Sequence, residues 1–366
     1  MQEKQMIKVC VLLGSILTMT TLFSCQEKGI HLDNTQKCSG FTKTIEIGTG
    51  ETIPLSDVGI TGFRIIDTLL VVSTNNKAQG YSVYSLPKVQ KMGSFMDVGH
   101  STSEVSEIPC ISDAYLYKEG RKIVLSFQDS RTGYYDDVDV LQSLQTGKQI
   151  STKKEHFIKD AAGNIFIFYH FAPEDFYAVC LDMKELKWIR QYYHNNQQVS
   201  IPAMDCLNQY AVQDIGQFAQ GSLICYPAFN AQKGIIAEAH WHSNQIHLYS
   251  LNGDKATTLI PNGKLDDYLN LPADQTEHQK RIYYKSIKGY ADYFMLDHPT
   301  PQNENFLQCY DWDGRQLLEM KMPQPYTSFD IDMANHFIYT LDNETEQLTR
   351  YPLPKELMEI GHLKEQ

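Results

Sequence analysis

The 366-residue sequence predicts an all-β, six-bladed β-propeller behind an N-terminal export segment. Three observations point there. Short apolar runs broken by turn residues recur as a four-strand unit. Asn-Gly and Asp-Gly pairs recur at one phase of that unit. An unassigned alternating segment near the N-terminus, Phe41–Gly48 (FTKTIEIG), is available as a spare strand.

The clearest copy of the unit is Gly62–Phe95, where FRII, LLVVS, YSVYSL and KVQKMGSF read as a meander. A second copy runs Asp113–Ile150 (DAYLY, KIVLSF, DVDVLQSL, TGKQI), and a third Lys159–Tyr193 (IFIFYH, FYAVCLDM, KWIRQYY). Gly221–Ile260 gives the fourth (SLICYPA, GIIAEAHWH, QIHLYSL, KATTLI) and Tyr283–Met322 the fifth (YYKSIKG, DYFMLDH, NFLQCYDW, QLLEMKM). The sixth has three strands, YTSFDID, HFIYTL and QLTRYPL. Gly147, Asn252-Gly253 and Asp313-Gly314 mark the third-to-fourth-strand turn, where a tight hairpin needs residues tolerant of positive φ. Units averaging ~53 residues sit at the upper end of the propeller range. The spare strand Phe41–Gly48 is expected to complete the sixth blade and close the ring, removing an open sheet edge. A pair of β-sandwiches or a seven-bladed ring are the alternatives, and a sandwich has no need of a common turn phase.

Composition agrees. The chain is 42% hydrophobic and 11% aromatic, with 22 Tyr and 16 Phe, residues suited to pleated surfaces. Net charge is −12, and no basic block of five or more occurs, so a nucleic-acid backbone would meet repulsion.

Residues 1–25 (MQEKQMIKVCVLLGSILTMTTLFSC) have the layout of a secretory signal: Lys4 and Lys8, then an uncharged stretch from Val9 to Phe23, too short to span a bilayer comfortably. Leu22-Phe23-Ser24-Cys25 matches the bacterial lipobox. Residues 1–24 are therefore expected to be a signal peptide, with lipid attached at Cys25, and residues 25–40 to form the lipidated Cys and a polar tether. The propeller is assigned to residues 41–366. Such a chain is expected to be an outer-membrane lipoprotein, held to the membrane by its lipid and facing the periplasm or the cell surface. Cys38, Cys110, Cys180, Cys206, Cys225 and Cys309 remain in the mature chain. Their even number permits disulfides in an exported protein, but Cys180, Cys225 and Cys309 sit in strand-like runs as small buried hydrophobes do.

The unit FRIIDTLLVVS…YSVYSLPKVQKMGSF, followed by DVGHSTSEVSEIP, resembles the first blade of the TolB-like six-bladed propeller lipoproteins of Bacteroidetes. IKGYADYFMLDH and LQCYDWDGRQLLEMKMPQPYTSFDIDMANHFIYTL are similar to that family's C-terminal blades. The family's Gly-rich stretch after the first blade is altered here: Gly99 and Glu104 stand at its ends, with His100-Ser101-Thr102-Ser103 between. The resemblance spans about Thr42 to Pro354 and implies a membrane-attached propeller; it carries over no catalytic residue.

Candidate chemistry is sparse. In HWHSNQIH, a Ser243-Asn244 hairpin turn would set His242 opposite Gln245 and His240 opposite His247, putting His240, His242 and His247 on one sheet face together with Glu238. Three imidazoles so placed are a candidate zinc or copper site; a polar patch on a hairpin near the propeller rim is the simpler reading. Asp136-Asp137-Val138-Asp139, Glu174-Asp175 and Asp266-Asp267 lack the full pattern of a calcium loop and read as solvated loops. No GxSxG, GxGxxG, P-loop or HExxH motif occurs. Phe171, Phe176, Tyr192, Tyr193, Tyr226 and Phe229 lie near predicted strand ends, where rings serve either blade packing or stacking against a sugar or protein. No cofactor is required by the sequence. The functional expectation is a non-enzymatic binding or scaffolding propeller for a glycan, peptide or envelope protein. The competing class is a metal-dependent hydrolase or lyase with its site at the central channel.

Overall fold

A computed structural model describes residues 32, 34–99, 104–111, 114–129, 134–156, 165–182, 184–185, 187–209, 225–264 and 281–362. Residues 1–24 and Cys25 lie outside the described residues, as do Asp266 and Asp267. Among the described residues, no helix is long and apolar enough to cross a membrane.

Six antiparallel sheets follow one another along the chain. Blade 1 is β4 (Ile60–Ile66), β5 (Leu69–Thr74), β6 (Tyr81–Ser85) and β7 (Gln90–Phe95). Blade 2 is β8 (Tyr115–Glu119), β9 (Lys122–Asp129), β10 (Tyr134–Asp139) and β11 (Ser151–His156). Blade 3 is β12 (Ile165–Ala172), β13 (Asp175–Asp182), β14 (Lys187–His194) and β15 (Gln197–Val199). Blade 4 is β16 (Cys225–Asn230), β17 (Ile235–His240), β18 (Ile246–Ser250) and β19 (Ala256–Ile260). Blade 5 is β20 (Ser286–Gly289), β21 (Tyr293–Pro299), β22 (Asn305–Asp311) and β23 (Gln316–Met322). Blade 6 is β24 (Ser328–Asp332), β25 (Phe337–Asp342) and β26 (Gln347–Pro352), with a fourth strand from upstream.

The blades are held face to face, which explains why their middle strands are unbroken apolar runs. Every residue of β5 (LLVVST), β17 (IIAEAH) and β18 (IHLYS) is buried. Alternation sends successive side chains to opposite neighbours. Leu69 and Val71 pack with Leu116, Ile123 and Leu125 of blade 2, whereas Leu70 and Val72 pack with Tyr339, Leu341 and Leu348 of blade 6. Blades 5 and 6 share Met295, Cys309 and Ile338; blades 4 and 5 share Ala237, Leu248, Phe294 and Tyr310. Tyr177, Tyr192, Ile236 and Tyr249 join blades 3 and 4, and Tyr135, Phe176 and Ala178 join blades 2 and 3. An apolar contact at each of the six interfaces closes the ring.

The N-terminal segment wraps three blades in succession. β1 (Asn34–Lys37) runs parallel to β19 as a fifth strand of blade 4. β2 (Thr44–Glu46) runs parallel to β23 as a fifth strand of blade 5. β3 (Glu51–Ile53) pairs antiparallel with β26. Two expectations change. The place in blade 6 given to Phe41–Gly48 is taken by Glu51–Ile53, while Thr44–Glu46 covers the edge of blade 5. Of the residues 25–40 expected to form a tether, Asn34–Lys37 is sheet and Cys38 is buried against blades 4 and 5. Polar strands like NTQK show no amphipathic period, since they lie on an outer edge with all four side chains exposed.

Blade 2 departs from the expected strands as well. Residues 140–146 form a helix, α1 (Val140–Thr146), and the fourth strand is Ser151–His156, after TGKQI. Asp139 caps the helix by accepting the Gln142 amide at 3.0 Å, and Gly147 ends it at φ 66°. Leu141 and Leu144 press the helix onto the blade 1–2 core. The Asp-Asp-Val-Asp run is not a solvated loop. Asp136 and Asp137 are buried on β10, with Gln149 Nε2 and Ser151 Oγ donating to Asp136 at 2.8 and 2.9 Å. Burial pushes the Asp136 carboxyl up to about 6.

The turns also differ in type. At Asn252-Gly253 and Asp313-Gly314 only the glycines have positive φ, 80° and 87°. Among the described turns between third and fourth strands, the one with both central residues left-handed is Asn195-Asn196, φ 51° and 57°, between β14 and β15 of blade 3. The six described cysteines form no disulfide with one another. A second helix, α2 (Pro202–Asn208), follows blade 3, and α3 (Lys355–His362) lies against blade 5.

Candidate functional site

Two polar centres stand out: one sealed between blades 3 and 4, one in the central channel.

The histidine cluster belongs to the first. β17 and β18 are joined by five residues, Trp241–Gln245, rather than by a two-residue turn, and Ala239 pairs with Ile246. The His240 amide donates to the Gln245 carbonyl at 3.2 Å, and His247 stands opposite Glu238. The loop is tied to its neighbours: Asn244 Nδ2 donates to the Lys264 carbonyl at 2.6 Å, and the Tyr283 amide donates to the Trp241 carbonyl at 2.7 Å. The two-residue slip preserves strand face, so His240 and His247 remain close, ring centroids 4.7 Å apart. His242 leaves them. Its ring stacks on Trp241 at 4.9 Å, and its Nδ1 lies 3.0 Å from the Arg281 carbonyl. Among the described residues no group of three or more His, Cys, Asp or Glu side chains is placed to hold a metal ion. The expected three-histidine centre is therefore not assembled.

Around Glu238 lies a sealed ion pair. Arg190 Nε on β14 is 2.7 Å from Glu238 Oε2 on β17, with both side chains fully buried. Tyr249 and Tyr177 hydroxyls donate to Glu238 Oε1, the latter at 3.2 Å, and Cys225 Sγ lies 3.4 Å from Oε2. Burial, aided by the charge of Arg190, pushes the His240 imidazole down to about 3, so it is neutral. This centre ties two blades together and has no exposed member among these residues.

The second centre is open. The innermost strands β4, β8, β12, β16, β20 and β24 surround a cavity of about 370 Å³. One side is aromatic, with Tyr115, Tyr169, Phe171, Tyr226 and Phe229; Phe171 and Phe229 stack at 5.2 Å. The other side is cationic, with Arg64 from blade 1 and Lys285 and Lys288 from blade 5. One carboxylate faces them. Asp330 Oδ2 lies 3.4 Å from both Arg64 Nε and Lys288 Nζ and accepts the Ile65 amide at 2.9 Å. Its Oδ1 accepts from the Ile331 amide at 2.9 Å and the Tyr290 hydroxyl at 3.2 Å. Burial opposes ionisation of Asp330, but Lys288 and Arg64 outweigh it and hold its carboxyl below the usual range. Burial, with the Arg64 charge, pushes the Lys288 ammonium down to about 8. Lys285 makes no ion pair or side-chain hydrogen bond among the described residues.

Of the six rings singled out in the sequence, Phe171, Tyr226 and Phe229 reach the channel, while Phe176, Tyr192 and Tyr193 are buried between blades. Glu174 lies in the turn between β12 and β13, and Asp175, the first residue of β13, accepts from Tyr192 and lies 2.7 Å from His194 Nδ1. Arg64, Lys285, Lys288 and Asp330 escaped sequence reasoning. The signal available was positional only: each belongs to the first strand of its unit or the residue just before it.

No family model matches the chain, and no curated protein matches it. Among solved structures it is similar to a member of the DUF4221 family from Bacteroides vulgatus, at 11% identity over 84% of this chain and 96% of that one, TM-score 0.46. It is also similar to a calcium-binding protein, regucalcin, from Agrobacterium tumefaciens, at 10% identity over 85% and 96% of the two chains, TM-score 0.45. Chaetomium thermophilum Raptor matches at 9% identity and TM-score 0.45 over 79% of this chain, which spans only 27% of that one. The fold, an all-β, six-bladed propeller, rests on the six sheets themselves and is an architecture commonly used for binding and scaffolding.

Proposed function

We propose that this chain is a lipoprotein of the bacterial envelope whose propeller binds a small ligand in its central channel without converting it. One observation carries the binding reading: a cavity of about 370 Å³, at the axis of a closed ring, lined by half-buried aromatic rings and by cations not all neutralised by carboxylate. That is the size and make-up of a small-molecule site, apolar walls with a few convergent polar groups. A channel metal of the hydrolase reading needs converging carboxylates. The described lining offers no carboxylate, and Asp330, which sits just behind it, is already engaged by Arg64, Lys288 and two backbone amides. The cell-envelope placement rests on the signal layout and on Cys25 in Leu-Phe-Ser-Cys; the TolB-like, Bacteroidetes assignment rests on the blade resemblances. Outer-membrane attachment, facing the periplasm or the surface, follows from the same residues, with a glycan or envelope protein as the partner class.

Two measurements test this. Cells fed labelled palmitate should label the full chain and not the Cys25→Ser variant. The detergent-solubilised protein, screened by thermal shift against small glycans and organic acids, should gain stability with a ligand recovered chemically unchanged. Ser328→Trp, which places a large ring in the channel, should abolish that gain. Turnover of the ligand, or binding indifferent to the plugged channel, would overturn the reading.

A further inference from the structure

We infer that the ligand of the central channel is a small organic anion, a carboxylate or phosphate carried on a ring-shaped body. The inference rests on the channel being the binding site and adds the ligand's chemical class.

The charge count drives it. The molecule as a whole is acidic, −12, yet three cationic side chains, Arg64, Lys285 and Lys288, line the cavity and the described lining itself contains no carboxylate; Asp330 lies behind Arg64 and Lys288, and buried Asp297 behind Lys285. Asp330 takes up Arg64 through Nε and Lys288 through Nζ, both at 3.4 Å, and so offsets one positive charge of the three. Lys285 makes no ion pair within 4 Å among the described residues; the carboxyl its charge acts on, Asp297, is pushed up to about 7 by burial and so offsets it only in part. A protein gains nothing in stability from crowding cations in a semi-enclosed space, where low dielectric magnifies their repulsion. Lys288 registers that cost: burial and Arg64 push its ammonium down to about 8. An anion entering the cavity relieves it and meets charge-assisted donors from two blades.

The ring-shaped body follows from the opposite wall. Tyr115, Tyr169, Phe171 and Phe229 offer flat apolar surface, and a cavity of about 370 Å³ admits one or two rings. Carboxylate and phosphate share the chemistry that the cations recognise.

The test uses matched sets that differ only in charge, added to the detergent-solubilised full chain and read by saturation-transfer NMR and calorimetry. One set is glucose, glucosamine, glucuronate and glucose 6-phosphate. The other is benzyl alcohol, benzylamine, phenylacetate and phenyl phosphate. In at least one set an anion should bind at least tenfold more tightly than its neutral and cationic counterparts, and comparing carboxylate with phosphate identifies the headgroup. Lys285→Met should weaken anion binding at least fivefold at unchanged melting temperature. Lys288→Met should do the same, and Lys285→Met keeps the test valid if loss of the Asp330 contact unfolds the Lys288 variant. Tight binding of neutral members in the channel, unaffected by Lys285→Met, would overturn the anion class while leaving the channel as a binding site. No binding by any member of either set would overturn the inference itself.

Discussion

Arg190 Nε sits 2.7 Å from Glu238 Oε2, a fully buried ion pair that joins the third strand of blade 3 to the second strand of blade 4. Removing one partner leaves an uncompensated charge in the dry interface. Arg190→Met alone is expected to cost about 3–5 kcal/mol. The double variant Arg190→Met/Glu238→Gln should recover most of that loss, because no net charge then stays buried. Urea denaturation of the two singles and the double measures the coupling. Additive losses would mean that the pair contributes nothing specific.

Asp297, buried on β21, accepts from the Tyr326 hydroxyl at 3.0 Å, and burial pushes its carboxyl up to about 7. Between about pH 4, where an unfolded Asp titrates, and pH 7, the folded chain keeps a proton that the unfolded chain has released. The contribution of this group to stability therefore falls as pH rises through that window, by at most about 1.4 kcal/mol per unit. Asp297→Asn should gain stability relative to the parent between pH 5 and pH 8. A stability difference that is the same at both pH values would show that Asp297 titrates normally.

Gly314 and Gly234 both adopt left-handed backbone, φ 87° and 60°. A Cβ on Gly314 would come within 2.8 Å of Leu259 Cδ2 and 3.0 Å of Leu248 Cδ1 in blade 4, whereas one on Gly234 meets nothing within 4 Å. Gly234→Ala should cost only the backbone penalty, about 1–2 kcal/mol. Gly314→Ala should cost more, since the blade 4–5 contact must also give. Equal melting temperatures for the two variants would remove the packing argument.

Lys288 faces Asp330, Arg64 and Phe329, and its ammonium, pushed down to about 8, loses its charge as pH rises through that value. Asp330 stays ionised throughout. Affinity for glucuronate or phenylacetate should hold steady from pH 6 to 7 and weaken above pH 8, by about 1 kcal/mol for one lost charge contact. In Lys288→Met the weakening above pH 8 should vanish. A profile with the same fall in the variant would assign the titration to another group.

The repeats were legible because blade interiors impose their pattern on the chain. LLVVST and IIAEAH are apolar throughout since both faces of a middle strand are covered, and this holds whatever the neighbouring blade contains. VLQSLQT was misread for the opposite reason. Its apolar residues suit a strand or a helix equally, and the Asp139 cap and Gly147 stop decide between them. The slender N-terminal strands NTQK and TIE left almost no imprint, because edge strands meet water and their backbone partners are distant in sequence.

By itself, the sequence determined the architecture of the molecule: six units of short strands whose alternation demands a neighbour on each side. Tertiary structure alone decided where the chemistry lies. His240 and His247 stay on one strand face, yet the loop's ties to Arg281 and Lys264 carry His242 away from them. Arg64, Lys285, Lys288 and Asp330 are separated by up to hundreds of residues, and ring closure alone brings three blades to one axis. Strand periodicity is a local property that a linear reading senses. Convergence at a channel is set by rotation from blade to blade, which no local pattern encodes.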